Sequence, residues 1–308
     1  MSSDNVPIDD TSMFSNVFSY MGLPLSRDME DASIDAVVMG VPYDLGTSGR
    51  AGTRSGPNGV RQASANLRWE EQRWPWDFTL GDRLSAVDYG DVQFMWGDSD
   101  DMLAQVEDHS ARIVAAGKTL VSIGGDHFVT LPLLRGHAKT HGALSLIHFD
   151  AHTDTYDEEE KYNHGCMFFR APKEGLIDPT RSIQIGIRTE YDKPNHEFAV
   201  IDAHRANEQS VADTVAEIRA RVGDNPAYLT FDIDCLDPAY APGTGTPVVG
   251  GMTTSKVLRI LQGICDLNIV GFDVVEVSPA YDNANITALA GATLALQFLY
   301  MRASRGDR

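Results

Sequence analysis

The chain has 308 residues, 44 of them acidic and 25 basic, for a formal net charge of -19. That balance excludes a general nucleic-acid binder, which needs a basic excess to meet phosphates; it suits cationic ligands, or serves solubility alone. The three cysteines, Cys166, Cys235 and Cys265, have no CxxC spacing, so neither a disulfide framework nor a thiolate metal site is indicated, and they read as small buried hydrophobes in a reducing compartment.

The length fits one large α/β domain, and no linker, internal repeat or low-complexity tract divides it beyond the acidic run Asp157 to Glu160. Residues 1–308 are therefore read as a single domain, with 1–33 an N-terminal extension packed on it or at a subunit contact. The opening Met-Ser-Ser-Asp-Asn-Val-Pro lacks a basic region followed by an apolar core, so no secretion signal is read and a cytoplasmic location is expected.

Ile34 to Val41 is the first β-branched run that reads as a buried parallel strand. The glycine-rich run Gly46 to Gly59 has neither a Gly-Lys-Ser/Thr ending nor dinucleotide spacing, so it is expected to shape a pocket or a subunit contact. From Ser99 to Ala116, Met102, Val106, Ile113 and Val114 keep helical spacing, with Ser99 as the cap and Gly117 as the stop. Strands follow at Thr119 to Ile123, Leu144 to Phe149 and Ser182 to Ile187, then a helix over Asn207 to Val222, then strands at Tyr228 to Phe231 and Ile269 to Val277. The apolar segment Ile286 to Met301 contains Thr287, Thr293 and Gln297 and reads as too short and too polar to cross a bilayer. Strands alternating with helices predict a three-layer αβα domain around a central, mainly parallel sheet.

Three stretches follow directly on predicted strands: Gly124-Gly125-Asp126-His127, Asp150-Ala151-His152-Thr153-Asp154 and Asp232-Ile233-Asp234. In open α/β sheets ligands bind outside the carboxyl ends of the strands, so one crevice is expected to gather them. Four carboxylates, Asp150, Asp154, Asp232 and Asp234, would repel one another strongly there unless two dications cancelled their charge. Carboxylate oxygens with the imidazoles of His127 and His152, and no thiolate, suit manganese better than structural zinc.

These stretches resemble the signatures of the ureohydrolases, the arginase and agmatinase family, as His148-Phe149-Asp150-Ala151-His152-Thr153-Asp154 and Thr230-Phe231-Asp232-Ile233-Asp234-Cys235-Leu236-Asp237-Pro238. The resemblance runs over nearly the whole chain, through Gly46 to Gly52, Ala241 to Pro247 and Phe272 to Pro279; Asn66 to Glu70 and Arg73 to Phe78 make it most like the bacterial agmatinase branch.

It implies an arginase-like fold and two Mn(II) per chain. Asp150 and Asp232 would lie between the ions, His127 and Asp154 on one, His152 and Asp234 on the other. It implies hydrolysis of agmatine to putrescine and urea, a step of polyamine biosynthesis, by a metal-bridging hydroxide, with Asp150, His164 and Glu276 as catalytic groups. His164 matches the family's proton shuttle and Glu276 the carboxylate that orients the guanidinium, with Asn163 beside His164 as a further substrate contact. The implied partners are a small cationic guanidino substrate and other copies of the chain, as a trimer or hexamer, with no nucleic acid and no membrane.

The loop from Thr155 to Asn163 carries the acidic run, which would repel a substrate carboxylate and accept an ammonium, or else simply face solvent. Open alternatives are another amidinohydrolase, for guanidinobutyrate or arginine; a related-fold deacetylase with a single zinc; and a metal-binding scaffold without turnover. Asp126 and Asp237 are read as orienting loops or ligands, and His148 as supporting a ligand or as part of the core. His109, His137, His141, His196 and His204 fall outside any constellation and are read as surface or structural.

Overall fold

The computed structural model describes residues 19–70, 72–157 and 161–306. Most of the predicted extension, residues 1–18, and residues 158–160 of the acidic run thus lie outside the described residues.

Among the described residues, β1 (Ala36–Gly40), β2 (Ala86–Asp91), β3 (Thr119–Ile123), β4 (Ser145–Phe149), β5 (Ile183–Ile187), β6 (Ala199–Asp202), β7 (Ala227–Asp232) and β8 (Ile269–Val275) form one sheet. Its order is β2-β1-β3-β8-β7-β4-β5-β6, and every pairing is parallel. The helices are α1 (Gly56–Ser64), α2 (Leu80–Arg83), α3 (Ser99–Ala115), α4 (Thr130–His141), α5 (Met167–Lys173), α6 (Ala203–Glu208), α7 (Val211–Val222), α8 (Thr254–Gly263) and α9 (Ile286–Ser304).

Alternate strand residues serve two cores. Val38, Ile123, Ile147, Phe149, Phe231 and Val274 pack with α1, α7, α8 and α9, whereas Val37, Met39, Leu120, Leu146 and Tyr228 pack with α3, α4 and α5. Both faces are covered, which is why strands such as Ala-Val-Val-Met-Gly are buried at every position. Each fully buried large apolar side chain contributes roughly 1.5–3 kcal/mol.

Two strands were not predicted, and both lie at the sheet's edges. β2 contains Asp88, a residue that argues against a buried strand, yet Arg61 of α1 meets it with two hydrogen bonds of 2.8 and 2.9 Å. β6 is four residues long and only partly buried. The predicted helix over Asn207 to Val222 is two helices, because Gln209 and Ser210 are extended and the Ser210 side chain caps α7 at Asp213 N–H. Asp98, not Ser99, caps α3 through Asp101 N–H. The final strand stops at Val275 rather than Val277.

Helix α9 runs 19 residues, longer than its apolar segment suggested and long and apolar enough by composition to cross a bilayer. Within the domain it is mostly buried, as a core helix is. Tyr20, fully buried, donates its hydroxyl to Ala292 O on α9, which fastens this part of the N-terminal segment. Cys166 and Cys235 are buried; Cys265 is only half-buried, against expectation.

Candidate metal centre

Four adjacent strands, β3, β8, β7 and β4, end at one place, and the loop leaving each carries candidate groups. After β3, Gly125 is held so tightly that an added Cβ would lie 1.7 Å from Tyr43 O. Asp126 then accepts from Phe128 N–H and Gly46 N–H at 3.1 and 2.7 Å, fixing the turn that presents His127 and tying it to the glycine-rich loop. Burial, with Glu276 nearby, pushes Asp126 up to about 8. After β7, Asp232 caps the turn by accepting from Asp234 N–H at 2.8 Å.

Asp154 and Glu276 have φ of 50° and 63°. A non-glycine residue in this left-handed region costs roughly 1–3 kcal/mol, so the surrounding structure holds both carboxylates where they stand.

The six candidate ligands converge in two groups. His127 Nδ1 lies 3.1 Å from Asp150 Oδ2, 2.9 Å from Asp154 Oδ2 and 3.2 Å from Asp232 Oδ2. His152 Nδ1 lies 3.3 Å from Asp150 Oδ1 and 3.2 Å from Asp234 Oδ2. Asp150 therefore reaches both groups with its two oxygens.

The hydrogen bonds around His127 show that this arrangement fits a cation. Thr230 Oγ1 gives its hydrogen to Asp273 Oδ1 at 2.5 Å, so toward His127 Nε2, 2.9 Å away, it accepts. His127 Nε2 thus carries a hydrogen, and Nδ1, buried and without a hydrogen-bond partner, faces three carboxylate oxygens. A lone pair aimed at carboxylates is repulsive unless a cation or proton stands between them. Burial opposes a charged imidazole, but Asp150, Asp154 and Asp232 outweigh it and raise the His127 pKa well above its ordinary value. Burial likewise opposes charge on His152, and its carboxylate neighbours push it up to about 12. Asp232 is raised well above the carboxylate range by burial and by Asp234 and Asp150. Divalent ions would take the place of these protons.

Beside the cluster is a cleft of about 120 Å³ lined by Ser48, Asp154, Tyr156, Asn163, His164 and Thr246, among others. No lysine or arginine is among its described lining residues. His164 Nδ1 donates to Glu276 Oε1 at 2.7 Å, and Ser48 Oγ lies 2.7 Å from its Nε2. Glu276 Oε1 also accepts from His127 N–H at 2.9 Å, while Oε2 is buried without a partner. Asn163 lines the cleft, its Oδ1 accepting from Gly165 N–H.

Of the acidic run, Asp157 is described and lines a separate cavity of about 360 Å³, and Tyr156 borders both that cavity and the cleft. Sequence reasoning overlooked Thr230, Asp273, Gln184 and Arg188. It also gave no role to His196, which donates to Gln184 Oε1 at 2.7 Å. The only available signal was polarity in runs otherwise apolar. His137 is buried, with Nδ1 donating to Leu133 O, and His204 is exposed. Asp237 accepts from three backbone N–H groups, which orients its loop.

Residues 34–301 match the model of the arginase family. The chain is 57% identical over 296 residues to an agmatinase of Edwardsiella ictaluri, covering 96% of this chain and 97% of that one. Among solved structures, a hypothetical agmatinase from Burkholderia thailandensis superposes with a TM-score of 0.92 at 44% identity, covering 96% of this chain and 93% of the other. The proclavaminate amidino hydrolase of Streptomyces clavuligerus gives 0.89 at 36% identity, covering 96% and 99%.

Proposed function

The chain belongs to the arginase family, and from that membership we propose that it hydrolyses agmatine to putrescine and urea. One observation carries the reading: the buried Nδ1 of His127 faces three carboxylates immediately beside the His164–Glu276 pair. His127 and Asp154 would hold one divalent ion, His152 and Asp234 a second, with Asp150 and Asp232 shared; manganese suits this oxygen and imidazole set. When bound, such a pair supplies the Lewis acidity that turns water into a hydroxide nucleophile at neutral pH.

The chain's own groups do the rest. Glu276 Oε1 is committed to His127 and His164, which leaves Oε2 to accept from a guanidinium N–H. His164 stands in the cleft where a leaving amine needs a proton. No lysine or arginine is among the described residues that line the cleft, which favours an ammonium tail over a carboxylate one. We further propose that the chain works as a homo-oligomer, a trimer or hexamer, a point for light scattering.

Urea release from agmatine, arginine and guanidinobutyrate, with manganese added and withheld, tests the reading. Manganese-dependent release from agmatine above the other two is expected. Preference for a carboxylate-bearing substrate would move the chain to another amidinohydrolase activity, the alternative favoured by its likeness to the proclavaminate enzyme. A single bound metal with amide hydrolysis would indicate deacetylase chemistry instead.

A further inference from the structure

A buried polar row crosses the sheet beneath the candidate ligands. Ser122, Asp273, Thr230, His148 and Gln184 are register neighbours on β3, β8, β7, β4 and β5. His148 and Thr230 stand two residues before Asp150 and Asp232, so the row and the ligands share a face.

At the β5 end of the row, Gln184 fixes the hydrogens of two histidines. The carbonyl of Thr153 can only accept, so the Gln184 atom 2.7 Å from it is the amide nitrogen. The same nitrogen lies 2.9 Å from His148 Nδ1, which must also accept. His148 therefore carries its proton on Nε2 and donates to Asp150 Oδ2 at 2.7 Å. The remaining Gln184 oxygen accepts from His196 Nε2 at 2.7 Å.

We propose that Gln184 is a positioning residue for the metal centre. It locks His148 in the Nε2–H tautomer that holds Asp150, and it anchors Thr153 O in the loop that carries His152 and Asp154. The proposal rests on the two-cation reading of the site. It also removes His148 from the ligand set, although its nitrogen lies within reach of the His127, Asp150 and Asp154 donors. A nitrogen that carries hydrogen has no lone pair to offer a cation.

Glutamate is the discriminating replacement. It matches the volume of glutamine and can still accept from His196, but it cannot donate to Thr153 O or to His148 Nδ1. Methionine removes all the polar contacts at similar size. Manganese titration of the stripped wild type, Gln184→Glu and Gln184→Met is expected to show affinity weakened about 10–100-fold in both variants, with KM for agmatine unchanged at saturating manganese. Wild-type affinity in either folded variant would overturn the proposal. Should neither variant fold, nitrogen NMR of the metal-free wild type decides, the proton being expected on His148 Nε2; a proton on Nδ1 alone overturns the lock. A wild type that binds no manganese would sink the two-cation reading instead, with the tautomer still to be read by the same spectrum.

Discussion

His164 Nδ1 lies 2.7 Å from Glu276 Oε1, so this imidazole lining the cleft is anchored to a carboxylate only 1% exposed. Burial lowers the His164 pKa, but Glu276 first, then Asp126 and Asp154, outweigh it and push the ring up to about 9. Replacing Glu276 by glutamine removes the largest raising influence. In the metal-free protein, the titration midpoint of His164 followed by NMR should drop from about 9 toward 6.5. Its sign also sets a stability effect: the paired imidazolium favours the folded chain below pH 6.5, and that contribution fades as pH rises through 9. An unmoved His164 resonance in Glu276→Gln would show that the pair does not control this ring.

A proton donor that holds no metal should affect turnover and leave metal content alone. His164→Ala is expected to lower kcat by about 10²–10⁴-fold while two manganese ions still bind. Metal analysis and steady-state kinetics on the same sample check this. Loss of manganese together with activity would move His164 into the ligand shell.

Asp232 carries opposite consequences with and without metal. In the metal-free chain it is buried against Asp150 and Asp234, and its pKa is raised well above the ordinary value. A carboxyl with a raised folded pKa favours folding at acid pH and loses that contribution as pH climbs from its unfolded value toward the folded one. Asp232→Asn should therefore stabilise the metal-free protein at neutral pH, since it removes an ionisable carboxyl crowded against two others. The same change should abolish most of the metal-induced stabilisation, which for an intact site reaches about 2.7 kcal/mol at a hundred times Kd and appears as a rise in Tm. Paired thermal scans with manganese and with chelator would expose the crossing; equal shifts in both would count against the site.

Which of these residues could be read from the chain follows from geometry. Asp150 and Asp232 were legible because a parallel sheet places whatever follows a strand at one edge, so sequence order alone brought them together. Thr230 and Asp273 were not, because their contact depends on the register of β7 against β8, and Gln184 meets His148 only through the register of β4 against β5. A single sequence shows each strand but not which rung faces which. Edge strand β2 was hidden for a related reason: Asp88 looks like surface until Arg61, 27 positions away, is placed beside it. The break at Gln209 and Ser210 kept helical spacing in Val211, Val215 and Ile218, so periodicity carried the prediction across a cap.

Arg188 is the remaining structural hinge of the site. Its guanidinium donates to Asp234 O at 2.6 Å, to Val248 O at 2.7 Å and to Gly186 O at 3.0 Å, while its own N–H donates to Ala151 O at 2.9 Å. One residue thus fastens the end of β5 to the loops carrying Asp150 and Asp234, and the planar fork of arginine is what reaches several carbonyls at once. Lysine keeps the charge but cannot span them. Arg188→Lys should cost about 1–3 kcal/mol of stability through carbonyls left unpaired. Because these contacts converge on Asp234, the ion held by Asp234 and His152 should weaken more than the one held by His127 and Asp154. Calorimetric titration with manganese should then resolve one near-normal and one weakened site. Two unchanged sites would show that the Asp234 loop holds its shape without the clamp.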